Sequence, residues 1–303
     1  MVAAQFLHRV CPSCGHDASR VEMHSDRRAE AMSLDQLRPY WSGLFQEKVF
    51  FSYDRCARCG LLFAPTFFNR EQLEDLYSAM EPNMEIVPTP ALAATQRGYY
   101  EAAAQGAQLS GGYLELGPDI GWVVRHAAAE GHFDRFWLVE PNRLVHPQLS
   151  AACDDKQHSI LTDLDDLSSV PDGSVGLAVM VHVLDHVLAP LATLSAVRRK
   201  LRPGGRVIIV THNEASILRR IMGQKWPPFC LQHPELYNPR SITGLAQRAG
   251  FGTVRVERSK NYFPIEFMAR QAAYAVGLEL ERLPLPKMSI GLKLGNMMTI
   301  ATT

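Results

Sequence analysis

From Gly112 onward the chain alternates short apolar runs with stretches in which apolar residues recur at helical spacing. Residues 136–140, a shorter piece at 159–161, residues 175–181 and residues 206–211 read as strands, and the stretches between them as helices. That rhythm predicts an α/β fold, a parallel sheet covered by helices. The run Leu201-Arg-Pro-Gly-Gly205 ends one helix and turns into the next strand. Beyond Thr211 the pattern changes. Pro227, Pro228, Pro234 and Pro239 crowd a loop, residues 239–251 form a capped helix closing on glycine, and 253–258 form a strand. An apolar helix is expected over 265–276 and a last strand over 295–301.

The first 70 residues are different in kind. Short strand-like pieces at 48–53 and 60–63 follow a more polar stretch, 29–45, that lies between the two cysteine pairs and reads as an inserted helix and loop. Residues 69–77 begin with a capping asparagine and carry a helical repeat. Pro82, Pro88 and Pro90 then interrupt the chain. The expected organisation is therefore a small domain over 1–70, a helix and linker over 71–90, and an α/β domain over 91–303.

The pairs Cys11-Pro-Ser-Cys14 and Cys56-Ala-Arg-Cys59, each followed by glycine, supply four thiolates separated by about forty residues. Such a set closes one tetrahedral zinc site, and a closed four-cysteine site keeps no position for catalysis. The metal is expected to be structural, with Cys11, Cys14, Cys56 and Cys59 as its ligands. The remaining cysteines, Cys153 and Cys230, read as buried thiols.

Lysine plus arginine equals aspartate plus glutamate at 31 each, so no overall field favours nucleic acid or an anionic membrane. No segment reaches the roughly 18 uninterrupted apolar residues of a membrane helix, and the N-terminus carries no leader pattern. A cytoplasmic protein with metal-bound thiolates is the expectation.

Where the first strand of the α/β region turns into a helix, the chain reads Glu115-Leu-Gly117-Pro-Asp119-Ile-Gly121. Glycine there allows close approach of a ligand, or simply a tight turn. Pro118 removes an amide and Asp119 adds a negative charge; both disfavour a phosphate and tolerate a cationic ligand such as S-adenosylmethionine. Glu140, about twenty residues on, is placed to accept hydrogen bonds from both hydroxyls of a ribose. Asp163 follows the third strand, at the adenine end of the same ligand or as a helix cap.

Together, residues 112–121, 138–142, 171–180, the segment Val183-Leu-Asp-His186-Val, and 201–209 resemble the class I S-adenosylmethionine-dependent methyltransferases. The resemblance covers most of residues 91–303 and includes Gln232-His233-Pro-Glu-Leu-Tyr237 and Arg248-Ala-Gly-Phe251. The zinc ribbon ending Arg58-Cys-Gly-Leu-Leu-Phe63 is similar to the one that precedes the methyltransferase domain in sugar C-methyltransferase-like proteins. What this implies is a Rossmann-like, seven-stranded, mostly parallel sheet with an antiparallel last strand, and methyl transfer to a small acceptor such as a nucleotide-linked sugar or saccharide intermediate. The implied cofactor residues are Glu115, Gly117, Asp119, Gly121, Glu140, Asp163 and His182. Two departures stand out: Asp119 replaces the middle glycine of the loop, and Gly176 stands where the family carries an aspartate. The further C-terminal domain common in the sugar group does not follow, which favours oxygen over carbon as the methylated atom.

Methyl transfer from a sulfonium is a direct displacement, so the protein mainly aligns donor and acceptor, with a base where the acceptor must lose a proton. His182 and His186 follow the fourth strand, at the edge where ligands bind in open α/β folds. His182, His233 and Tyr237 are the candidate catalytic groups; His186 reads as a packing residue, as do Tyr99 and Tyr100. Two rival readings are an RNA-directed methyltransferase gripping through the ribbon, and an inactive scaffold. Against the first, Arg20, Arg27, Arg28 and Arg38 are diluted by Asp26, Glu30 and Asp35.

Overall fold

The computed structural model describes residues 6–41, 48–78, 89–266, 268–269 and 288–303. The N-terminal region contains β1 (Leu7–His8), β2 (Ser19–Met23), β3 (Arg27–Arg28), α1 (Leu34–Leu37), β4 (Val49–Phe50), β5 (Tyr53–Cys56), β6 (Leu62–Phe63), β7 (Thr66–Phe67) and α2 (Arg70–Ser78). The second region contains α3 (Thr89–Ala104), β8 (Gly112–Leu116), α4 (Trp122–Glu130), β9 (Arg135–Val139), α5 (His146–Ala152), β10 (His158–Leu161), β11 (Val175–Val181), α6 (Pro190–Lys200), β12 (Leu201–His212) and α7 (Ile217–Met222). It closes with β13 (Glu235–Leu236), α8 (Pro239–Arg248), β14 (Thr253–Arg258), β15 (Asn261–Pro264), β16 (Ser289–Leu292) and β17 (Asn296–Thr302).

The main sheet has seven strands in the order β10-β9-β8-β11-β12-β17-β14. Strands β10, β9, β8, β11 and β12 pair in parallel, while β17 lies between β12 and β14 and is antiparallel to both. The parallel part is what the alternating pattern predicts, and the Rossmann-like order with its inserted antiparallel strand is what the family resemblance implies. The central strands β8 and β11 are buried at every residue. Burial on both faces is why they read as continuous apolar runs rather than alternating ones. Separate apolar clusters cover the two faces, one including Leu114, Met180 and Ile209, the other Tyr113, Val179 and Ile208.

Three details differ from expectation. Strand β12 starts at Leu201, which pairs with Val175; the next pair is Leu177 with Arg206, so the Arg-Pro-Gly-Gly run is absorbed in a register shift. Pro90 lies in the first turn of α3 instead of a linker, a position where its missing N–H costs nothing. The helix expected over 265–276 lies mostly outside the described residues, as do Pro82 and Pro88.

The third difference positions the site. The N-terminal sheet has the order β13-β6-β5-β2, so its edge strand comes from the proline-rich loop of the other region. Glu235 pairs with Phe63 and Leu236 with Leu62. Behind that sheet, Phe50, Tyr53, Leu62, Trp226, Phe229 and Leu236 form one buried cluster.

Candidate active site

Strand β8 delivers the chain to Gly117, whose φ is +64°. A Cβ at this position would stand 2.4 Å from Val183 Cγ2, so only glycine lets the loop lie against the turn after β11. Asp119 adopts φ +49°, the left-handed conformation of the glycine it replaces, which aspartate tolerates better than most residues. Gly121 opens α4 at φ +78°, and a Cβ there would meet Ala152 Cβ at 2.7 Å.

Glu140, just past β9, ties this loop down. Its Oε2 accepts the Asp119 N–H at 2.9 Å and its Oε1 accepts the Asn142 N–H at 2.8 Å. Each oxygen keeps a second acceptor direction, so the carboxylate can still receive two hydroxyls. Burial raises the pKa of Glu140 and of Asp119. Glu115 is only 2% exposed and accepts the Tyr113 hydroxyl. Burial pushes it up to about 8, so near neutral pH it is mostly uncharged and sits within the sheet. Asp163 is exposed: it accepts the Asp165 N–H and lies 3.9 Å from Arg70 Nη1, which makes it a turn residue beside α2. The donor set of the two adjoining loops is therefore two carboxylates, Asp119 and Glu140, with tightly turned backbone. That chemistry fits a ligand bearing positive charge and a ribose, and the Gly117 turn supplies the close approach.

The tips of β11 and β12 carry imidazoles instead. His182 follows β11 at φ +52° and donates its backbone N–H to Val210 at 2.9 Å. Its ring lies 4.6 Å from that of His212, which ends β12. The His212 ring is 5.0 Å from that of His233, and His233 is 4.6 Å from His186. At the centre is Asp185, wholly buried. Burial would raise its pKa, but His182 and the other imidazoles hold it well below the usual carboxylate range. His186 is lowered to about 3 by burial and by the neighbouring His233, and accepts or donates at 3.0 Å to the Tyr77 hydroxyl. His212 is also lowered, by burial first and His182 second. His233 moves the other way. Burial opposes its charge, yet Cys230, 3.2 Å from Nδ1, raises it to about 9 and is itself lowered in return. The same Nδ1 lies 2.8 Å from the Pro228 carbonyl.

Two of the three expected catalytic groups thus meet in one cluster, His182 on its rim and His233 inside. Tyr237 is fully buried and gives its hydroxyl to the Leu184 carbonyl at 3.4 Å. Sequence reading missed Asp185 and His212, and took His186 for packing. The signal was present in part: His212 ends β12 as His182 follows β11, and Asp185 lies three residues after His182.

The four paired cysteines come together, with one sulfur from each within 4.8 Å of all the others. The Sγ separations are 3.5 Å for Cys11–Cys59 and 3.6 Å for Cys14–Cys56. Tetrahedral zinc with Zn–S of about 2.3 Å would place sulfurs about 3.8 Å apart, so the cluster is compatible with zinc. The Cys11–Cys59 hydrogen bond pushes the Cys11 thiol up and the Cys59 thiol down, so the pair shares one negative charge. The other region grips this knuckle directly: Arg248 donates to the Ser13 carbonyl at 2.8 Å. Arg9 joins Glu235 at 2.7 Å and the Pro234 carbonyl at 2.8 Å, and Tyr53 donates to the His233 carbonyl at 2.6 Å. The N-terminal sheet and its cysteine cluster therefore hold the loop that carries His233.

Residues 93–256 match a family described as a methyltransferase domain. Among solved structures, an S-adenosylmethionine-dependent methyltransferase from Archaeoglobus fulgidus is 15% identical with a TM-score of 0.50, covering 78% of this chain and all (100%) of that one. A chain of the complex between the Haloferax volcanii Trm112 methyltransferase activator and a methyltransferase is 15% identical with a TM-score of 0.51, covering 69% and 90%. An S-adenosylmethionine-dependent methyltransferase structure from Listeria monocytogenes is 12% identical with a TM-score of 0.50, covering 71% and 99%. No curated protein matches. Among the described residues no helix is long and apolar enough to cross a membrane. With its Rossmann-like sheet, its acidic loop after β8 and a family match over more than half its length, the chain belongs to the methyltransferase-domain family and is an S-adenosylmethionine-dependent methyltransferase.

Proposed function

We propose that this enzyme methylates a hydroxyl of a small polar acceptor, a nucleotide-linked sugar or related saccharide intermediate being the class that fits best. The observation that carries the reading is the division of the strand tips: carboxylates after β8 and β9, imidazoles after β11 and β12. Glu140 would take the ribose hydroxyls of S-adenosylmethionine, Asp119 would face its ammonium, and the Gly117 turn would admit its close approach. When bound, S-adenosylmethionine supplies a methyl group already activated on a sulfonium, so the protein's part is alignment and handling of the acceptor proton.

Around the acceptor, imidazoles suit a hydroxyl. His182 keeps part of its ring exposed, at 29% of its side chain, so a hydroxyl can reach it. Asp185 behind it favours positive charge on that side. The buried His233 and Tyr237 shape the cleft from beneath. Zinc in the four-cysteine cluster would fix residues 1–70 as a ribbon, which supports the β13 loop without entering the chemistry.

The direct test incubates the protein with methyl-labelled donor and a panel of sugar nucleotides. Label in a sugar at oxygen is the expected result; label appearing only in RNA, or only at carbon, overturns the substrate reading.

A further inference from the structure

Asp185 is a buried carboxylate that the protein groups around it leave short of hydrogen bonds. It is 0% exposed, its Oδ1 has no hydrogen-bond partner, and its Oδ2 has only a long 3.4 Å contact from the His212 N–H. Among the described residues its only ion-pair partner is His182, at 4.0 Å. His182 Nδ1 is likewise buried and without a hydrogen bond. A buried carboxylate left this far from any donor is costly unless a cation accompanies it.

The arrangement points to that cation. One donor atom each from His182, Asp185 and His212 lie within 4.8 Å of one another. Metal–ligand distances of about 2.0–2.2 Å place neighbouring tetrahedral donors about 3.4 Å apart, so closing the set needs side-chain shifts of about 1 Å. Asn296 provides the outer support such sites use: its Oδ1 lies 3.0 Å from His212 Nδ1. An N–H on Nδ1 donating to that oxygen leaves Nε2 of His212 with the free lone pair. The Asn296 amide nitrogen is 3.4 Å from His182 Nε2, a long contact that keeps the His182 proton on Nδ1, toward Asp185. An entering ion takes the place of that proton, and the Asn296 contact to Nε2 is then given up.

We propose that His182, Asp185 and His212 bind a first-row divalent transition ion, of the kind that two imidazoles and one carboxylate select over magnesium or calcium. Three protein ligands leave a coordination position open, as in catalytic rather than structural sites. That position opens on the part-exposed His182 edge, where an acceptor hydroxyl can bind and become more acidic. The oxygen then forms the new O–CH₃ bond, the C–S bond of the sulfonium breaks with its electron pair going to sulfur, and the hydroxyl proton passes to water. This use of the ion rests on the acceptor reading above; the binding of the ion does not.

The test titrates Co²⁺ into full-length protein whose cysteine cluster is already filled with Zn²⁺, followed by calorimetry and by visible absorption. One further equivalent per chain is expected, with ligand-field bands and without the charge-transfer bands of cobalt thiolate. His182→Asn, which suits the left-handed backbone at that position, and His212→Asn should each weaken that binding by at least about tenfold. Circular dichroism and melting curves identify the variants that fold. No further equivalent, or equal binding in both folded variants, overturns the proposal. S-adenosylmethionine calorimetry on the same samples separates the two readings. Cobalt binding without cofactor binding defeats the acceptor reading and leaves the metal site standing; cofactor binding without cobalt binding defeats the metal site alone.

Discussion

The two halves of the main sheet present opposite chemistry at the same edge. After β8 and β9 the chain offers Asp119 and Glu140, fixed by backbone amides of the two neighbouring loops that follow those strands. After β11 and β12 it offers four imidazoles around one buried aspartate, fixed by groups as distant in sequence as Tyr53, Tyr77 and Asn296. The first half is held by contacts between neighbouring strand-end loops; the second depends on the cysteine-bearing N-terminal sheet and on β17. One lesson is that the cofactor side of such an enzyme can keep its shape through short-range turns, whereas the acceptor side is built by long-range packing and is the half that can diverge.

The largest expected effect tests that dependence. Cys56→Ser removes a thiolate from the proposed zinc site, and because metal binding in such sites is folding energy, often on the order of 10 kcal/mol, the N-terminal sheet should unfold. Zinc content, a lowered melting temperature and loss of turnover would report it, with cofactor affinity changing much less. Equal loss of cofactor binding would erase the distinction between the halves.

Next comes Glu115, inside the acidic half. Its pKa is raised to about 8 from an ordinary carboxylate value near 4.5. Between those values the folded state binds more protons than the unfolded one, so stability is greatest at low pH and declines as pH rises toward 8. Glu115→Gln removes that dependence. Relative to the native chain it should be more stable by a few kcal/mol at pH 8 and nearly equal at pH 4, read by denaturant unfolding at both pH values. A difference that does not vary with pH would show Glu115 to be charged in the fold.

Gly117→Ala follows. The added Cβ meets Val183 at 2.4 Å in a left-handed backbone, so a loss of about 2–3 kcal/mol is expected by thermal unfolding. Smallest is Asp119→Gly, which relieves a left-handed aspartate and should shift stability by no more than about 1 kcal/mol. It should also weaken cofactor binding through the lost carboxylate, and calorimetry would show whether charge or space governs that loop.

The sequence made the parallel sheet legible because its central strands are buried on both faces and read as plain apolar runs, β11 in particular matching residue for residue. The cysteine cluster was legible because its spacing is chemistry in itself. Strand β13 was not, since two residues, Glu235 and Leu236, carry no periodicity and pair with a strand far away in sequence. Asp119 and Glu140 follow adjacent strands and meet through the Asp119 N–H, as the spacing of about twenty residues suggested. Asp163 did not join them, because local turn bonding and Arg70 hold it outside. Asp185 and His212 escaped notice because their local marks, a strand-end position and a spacing of three from His182, gain meaning only once the adjacency of β11, β12 and β17 brings them together.

The division of the sheet edge is tested most directly by S-adenosylmethionine calorimetry on three proteins: the native chain, Glu140→Ala and His212→Asn. Glu140→Ala should weaken binding at least about tenfold, the cost of roughly one charge-assisted hydrogen-bonding group, while His212→Asn stays within about twofold of the native chain. Equal weakening in both variants, or native-like affinity in Glu140→Ala, would contradict a cofactor half distinct from an acceptor half.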